Sequence, residues 1–378
     1  MKIAQIITTF PPHHGGMGCV CFHNSRELAR HGHDVVVFTL DYGQLNYSND
    51  PKDFKVVRLH PLIMHGDAGM VPQLYSMLKR FDVVHLHYPF FGGAEYVYFA
   101  SLFRKQKYIL TYHMDVYGDN FLKRLVIGCY EPLLMKGIVR KATKIIALSG
   151  AHLKSSKAGK LVDWNNQVIE IPNGVDTQAF RPAEKKTELM IRYGLIGKKV
   201  ILFVGNLLPV KGLHLLIDAL SKIEDKNVVL LIVGGGYGEA EYKKQVKEKG
   251  LEDRVIFSGH QSPDKNLPAY YNLSDFLVLP STHSESFGLV ILEAMASGKP
   301  AIVSSLPGPS QLIKDGEDGL IARVGDTEDL KNKIEYLLHR KDICSRMGHA
   351  GRQKVLGNYS WGKIGERLER IFVEIKDS

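Results

Sequence analysis

Short apolar, β-branched runs alternate along this chain with helical or loop-like segments, and the alternation occurs twice. In the first half the runs are Lys2 to Thr8, Val35 to Leu40, Phe54 to His60, Asp82 to His87, Tyr108 to His113, Lys144 to Ser149 and Val168 to Pro172. Runs that are apolar throughout fit strands buried on both faces, so the pattern predicts a doubly wound parallel sheet. Pro172-Asn173-Gly174 reads as a turn, and the stretch from Thr177 to Lys199 is polar and proline-bearing. The pattern then restarts with Val200 to Gly205, Val228 to Gly235, Val255 to Gly259, Asp275 to Pro280 and Ala301 to Ser305. The expected architecture is α/β: two Rossmann-like doubly wound domains, residues 1–176 and 177–360, facing across a cleft with the active site at the carboxyl ends of both sheets. Residues 361–378 read as a closing helix.

Composition fits two domains of ordinary size. The chain has 378 residues, 44% hydrophobic and 24% charged, enough for two cores of about 100 to 200 residues each. No segment reads as a signal peptide and no apolar run reaches membrane-spanning length. Cys19, Cys21, Cys129 and Cys344 lack disulfide or zinc spacing and read as free thiols in a reducing cytoplasm. Cys19-x-Cys21 fits a packed helix start better than a redox or metal pair. A net charge of +9 is moderate, and no nucleic-acid motif accompanies it. Basic and apolar residues do interleave in Phe121-Leu122-Lys123-Arg124-Leu125-Val126 and Lys136-Gly137-Ile138-Val139-Arg140-Lys141. Such segments suit either an anionic membrane surface or a buried helix with a solvated basic face.

The segment Ser284-Glu285-Ser286-Phe287-Gly288-Leu289-Val290-Ile291-Leu292-Glu293-Ala294-Met295-Ala296-Ser297-Gly298-Lys299-Pro300 concentrates the candidate chemistry. The preceding run ends at Pro280, so a helix is expected to begin near Phe287 or Gly288 and to stop at Gly298 and Pro300. Glu285 then falls in the loop and Glu293 in the helix. A helix start at the carboxyl end of a parallel strand offers unpaired N–H groups to a diphosphate, and Glu293 would lie within reach of a ribose diol. Two carboxylates also suggest a glycosidase. On one helix, however, the pair would be roughly 12 Å apart along the axis, beyond the about 5 to 9.5 Å that hydrolysis requires.

Glu285 and Glu293, with Phe287-Gly288-Leu289 between them, resemble the signature of the retaining GT-B glycosyltransferases of family 4. The resemblance covers nearly the whole chain. Ile171-Pro172-Asn173-Gly174-Val175-Asp176 is similar to the family's interdomain turn, Val204-Gly205-Asn206-Leu207-Leu208-Pro209-Val210-Lys211-Gly212 to its phosphate-binding segment, and Gly15-Gly16 to its N-terminal glycine loop. It implies a nucleoside-diphosphate sugar as co-substrate with no further cofactor, held by Gly15, Gly16, Gly205, Asn206, Lys211, Phe287, Gly288, Leu289 and Glu293. His113, Lys211 and Glu285 are the implied catalytic residues. The implied acceptor is a glycan or lipid-linked glycan, with an enzyme in the cytoplasm at the inner membrane face and no nucleic-acid partner. Residues 361–378 would return to brace the first domain.

The chain has no Asp-x-Asp for a divalent metal; Lys211 and the helix start near Gly288 would meet the leaving diphosphate instead. Asn206 departs from the family, which usually has arginine there. It lacks the charge and the bidentate fork, so weaker diphosphate binding or a substitute such as Lys299 or Arg323 is expected. His113 matches the histidine that meets the transferred sugar. His13 and His14 adjoin the glycine loop, His85 and His87 share a strand face as a weak metal candidate, and Gly234-Gly235-Gly236-Tyr237-Gly238 reads as a turn near the base or ribose. A sugar-nucleotide epimerase of the same fold and a non-catalytic sugar-nucleotide-binding protein are the alternatives.

Overall fold

The computed structural model describes residues 1–13, 15–43, 47, 50–117, 121–262 and 266–377, with Leu122 described by its backbone alone. The chain divides into two compact units, one of residues 1–173 and 361–378, the other of residues 174–360.

The first unit is built on a parallel sheet of β1 (Lys2–Ile6), β2 (Asp34–Leu40), β3 (Lys55–Leu59), β6 (Val83–Tyr88), β7 (Tyr108–Tyr112), β8 (Lys144–Ala147) and β9 (Val168–Glu170), in the order β3-β2-β1-β6-β7-β8-β9. A two-stranded hairpin, β4 (Met64–His65) with β5 (Ala68–Gly69), lies outside this sheet. One face of the large sheet packs Ile6, Leu86, Leu110 and Ile145 into an apolar core.

The helix Trp361–Asp377 belongs to this unit. Its buried residues Trp361, Ile364, Leu368, Ile371, Phe372 and Ile375 fall on one face of the helix, and each apolar side chain so buried contributes about 1.5–3 kcal/mol. The helix packs on the helix Gly16–Arg30, where Trp361 stacks on His23 with ring centres 4.5 Å apart and Glu369 pairs with His31. Arg367 ties it to β9 by donating to the Glu170 carbonyl at 2.9 Å.

In the second unit, β10 (Lys199–Val204), β11 (Val228–Val233), β12 (Val255–Phe257), β13 (Phe276–Leu279), β14 (Ala301–Ser304) and β15 (Gly319–Ala322) form a parallel sheet in the order β12-β11-β10-β13-β14-β15. β11 reads Val-Val-Leu-Leu-Ile-Val and is buried along its whole length, as a central parallel strand covered by helices on both faces should be. The boundary between the units falls slightly before the expected one at residue 176. Val175 donates to the Tyr359 carbonyl at 2.8 Å and bridges to Ser360, so Gly174 to Asp176 is held by the second unit.

Candidate active site

The second sheet advances outward from β10 to β12 on one side and from β13 to β15 on the other. Loops leaving the carboxyl ends of β10 and β13 therefore turn away from each other, and in open α/β sheets ligands bind outside that reversal. The first of these loops carries Gly205, Asn206 and Lys211; the second carries Glu285, Phe287 and Gly288.

A short 3-10 turn, Pro209–Lys211, aims the lysine across the reversal. Its Nζ lies 2.5 Å from Glu285 Oε2, which also accepts from Ser281 Oγ at 3.3 Å. The two side chains are only 26% and 10% exposed. Sequence reading gave each residue a role but did not pair them. The loops are joined through their backbones as well, since Thr282 N–H donates to the Val210 carbonyl at 2.9 Å. Behind Glu285, a Cβ at Gly308 would lie 2.3 Å from the Glu285 carbonyl oxygen.

The helix begins at Leu289 and runs to Ala296, with Gly288 as its N-cap at φ +93°. That left-handed conformation, with a Cβ that would sit 2.7 Å from Ile291 Cδ1, reserves the position for glycine. Glu285 lies in the loop and Glu293 in the helix. Phe287 is 2% exposed, so it offers a ligand its backbone and not its ring. Glu293 is half-buried and accepts a 2.5 Å hydrogen bond from the hydroxyl of Tyr271 on the helix Leu267–Leu273. Burial pushes its carboxyl up to about 7, only partly offset by the tyrosine. Nothing local in the sequence singled out Tyr271.

Asn206 is exposed and its carbonyl accepts from Leu208 N–H at 2.8 Å. The Gly234–Gly238 segment packs on this loop: a Cβ at Gly234 would meet the Gly205 carbonyl oxygen at 1.9 Å, and one at Gly238 the Leu207 carbonyl at 2.6 Å. These glycines hold the segment 204–212 in shape. The two basic candidates to substitute for an arginine at 206 lie at opposite ends of the sheet. Lys299 donates to the Ser274 carbonyl at 2.7 Å, at the amino-terminal edge of β13 and β14 and hence the wrong end of the sheet. Arg323 follows β15 and is paired with Asp326 at 2.9 Å and Asp329 at 3.9 Å.

In the first unit, Gly15 and Gly16 open the helix Gly16–Arg30 at the carboxyl end of β1, both exposed. A Cβ on Gly15 would meet only Thr9 Oγ1, at 3.8 Å; the crowded position is Gly18, where it would be 2.9 Å from the Thr9 carbonyl. His13 lies 3.8 Å from Asp67, and His14 is outside the described residues. His113 follows β7, almost fully buried, with its N–H on the Tyr88 carbonyl at 2.9 Å. Its ring meets His87, and His85 bonds Thr111. Among the described residues, no three His, Cys, Asp or Glu side chains are grouped to hold a metal ion.

Burial holds His85 and His113 down at about 3, and His87 well below its usual value. The folded protein therefore keeps three neutral rings that the unfolded chain protonates below about 6.5. Stability is full above that pH and is lost as pH falls toward 3, by about 4 kcal/mol per pH unit if all three rings contribute. Glu293 opposes this, since its raised value makes stability fall as pH rises from the ordinary carboxylate range through about 7, but one carboxyl does not cancel three imidazoles. Urea midpoints should fall steeply from pH 6.5 to 5; a flat profile would show that these rings are solvated.

Residues 186–354 match the family described as Glycosyl transferases group 1, and residues 14–179 match Glycosyltransferase Family 4. Spore coat protein SA of Bacillus subtilis (strain 168) is 32% identical, over 98% of this chain and 99% of its own length. N-acetyl-alpha-D-glucosaminyl L-malate synthase of Bacillus anthracis is 27% identical, over 99% and 98%. Among solved structures, HepE of Anabaena in complex with UDP and glucose superposes with a TM-score of 0.82 at 20% identity, covering 99% of this chain and 100% of that one. With its two parallel-sheet units of GT-B type, the chain belongs to the group 1 glycosyltransferases.

Proposed function

We propose that the protein is a retaining, metal-independent hexosyltransferase that takes its sugar from a uridine or guanosine diphosphate donor. The observation that carries this reading is the Lys211–Glu285 pair at the reversal of the second sheet, with the Leu289–Ala296 helix start and Glu293 just beyond. A departing nucleoside diphosphate gathers negative charge, and Lys211 with the first N–H groups of that helix meets it there. Glu285 orients the lysine and the sugar, and Glu293 accepts from the ribose diol. The acceptor attacks from the face the diphosphate leaves, and a phosphate oxygen takes its proton, so no separate protein base is needed. His113 hydrogen-bonds a hydroxyl of the transferred sugar.

A glycan or lipid-linked acceptor of cell-envelope or exopolysaccharide synthesis is supported by the helix Phe121–Tyr130. Phe121 is 81% exposed there and Val126 60%, beside Lys123 and Arg124. That mixture suits the headgroup region of an anionic bilayer, and the reading places the enzyme in the cytoplasm on the inner membrane face. Among the described residues no helix is long and apolar enough to cross a membrane.

Thermal stabilisation across a panel of sugar nucleotides, with EDTA present, tests the donor site. One donor at a hundred times its Kd should stabilise by about 2.7 kcal/mol, and Glu293→Ala should abolish the shift. Because the diol binds the charged carboxylate while burial keeps Glu293 protonated up to about 7, affinity should be about tenfold higher at pH 8 than at pH 6. Stabilisation that appears only with a divalent cation, or that survives in Glu293→Ala, rejects the reading.

A further inference from the structure

One face of the first sheet carries polar side chains where buried parallel strands ordinarily carry aliphatic ones. Gln5 on β1, His85 and His87 on β6, Thr111 on β7 and His113 just past it are all at most 3% exposed. Phe372 of the closing helix covers this face, meeting His85 edge-on with ring centres 5.4 Å apart. Burying polar groups is unfavourable unless they are bonded to one another.

Three of them form a line. His87 Nε2 is 2.9 Å from Gln5 Oε1, and His87 Nδ1 is 2.9 Å from His113 Nε2. In the orientation that turns the Gln5 carboxamide oxygen toward His87, that oxygen can only accept, so the proton of His87 sits on Nε2 and its Nδ1 is left as an acceptor. His113 must then donate from Nε2, which leaves a lone pair on its Nδ1. Each ring is neutral, as burial requires, and each therefore has a single N–H to place. Gln5 is the one member of the line whose two ends differ chemically, so its orientation sets the direction of both histidines. His85 stands apart from the line, bonded to Thr111 Oγ1 at 2.7 Å.

We propose that Gln5 and His87 are positioning residues that hold His113 protonated at Nε2, so that its Nδ1 accepts a hydroxyl proton from the transferred sugar. This rests on His113 being the sugar contact. An accepting nitrogen suits a hydroxyl and repels a carboxylate, so the arrangement selects neutral hexosyl donors over hexuronyl ones.

Nitrogen-15 NMR of histidine-labelled protein reads the tautomers directly. Wild-type protein should show His87 and His113 both protonated at Nε2. In Gln5→Met the line loses its anchor: His113 should populate both tautomers and kcat/KM should fall about tenfold. Gln5→Glu, whose buried carboxyl either stays protonated and donates to His87 or ionises and protonates it, should instead drive His113 toward protonation at Nδ1. His113 protonated at Nδ1 in the wild type, or a tautomer unmoved in Gln5→Met, overturns the proposal, and the wild-type spectrum decides this even where a variant fails to fold. Tautomers as expected combined with a His113→Phe variant of wild-type kcat/KM would instead remove His113 from the sugar, while donor binding at Glu293 stands or falls on its own measurement.

Discussion

Lys211→Ala is expected to lower kcat by about 10²- to 10³-fold while leaving the donor KM within about tenfold, because the ammonium matters most when charge has built up on the departing diphosphate. The same change also damages the resting protein. Glu285 Oε2 would keep only the 3.3 Å bond from Ser281 Oγ, and a carboxylate 10% exposed without its cation costs about 1–3 kcal/mol. Stability and catalysis separate in the double variant Lys211→Met/Glu285→Gln. Removing both charges should recover most of the melting temperature, since nothing is then buried unpaired, yet kcat should stay at the level of the single variant or below. A Lys211→Ala enzyme with near wild-type kcat would mean that the cation meeting the diphosphate lies elsewhere. A double variant that recovered activity along with stability would mean that the pair is only structural.

The strands of both sheets could be read from the sequence because strands covered on both faces are written as unbroken Val, Ile and Leu runs. β15 escaped because Gly319–Ala322 is four residues long and begins and ends with small side chains; the β4–β5 hairpin has two residues per strand and no pattern at all. Glu285 and Glu293 could be placed in loop and helix because Pro280, Gly288 and Pro300 bracket the element chemically. Their partners could not. Lys211 and Tyr271 reach these carboxylates only through the order of strands in the sheet and the helix packed on it. Lys299 shows the opposite error. As a basic residue it reads as a substitute for an arginine at 206 beside the diphosphate, but a residue after the helix and before β14 must sit at the amino-terminal edge. His85 and His87 were correctly placed on one strand face, and their spacing alone said nothing of Gln5 or His113, which adjacent strands bring to the same face.

Gly212→Ala should be strongly damaging for so small a substitution, because it strikes where the two loops of the second unit meet. Gly212 has φ +69° and caps the helix Leu213–Ser221 directly after Lys211. A Cβ there would stand 2.0 Å from the carbonyl oxygen of Pro280, the residue that ends β13's run. Both sides of that contact are backbone, so relief requires the loops after β10 and β13 to move apart, and it is their close approach that brings Lys211 within 2.5 Å of Glu285. Gly250 separates the two causes of damage. It has φ +61° at the end of the helix Glu239–Glu248, with nothing within 4 Å of a Cβ. Gly250→Ala should cost about 1–2 kcal/mol, the left-handed penalty alone. Gly212→Ala adds the clash and should cost about 3 kcal/mol or more, with kcat reduced about 100-fold as the lysine and glutamate separate. Urea midpoints and steady-state kinetics on the two variants give the comparison. Equal losses of stability would show that the loops part easily, and a normal kcat in Gly212→Ala would show that the close approach of the two loops is not what positions Lys211.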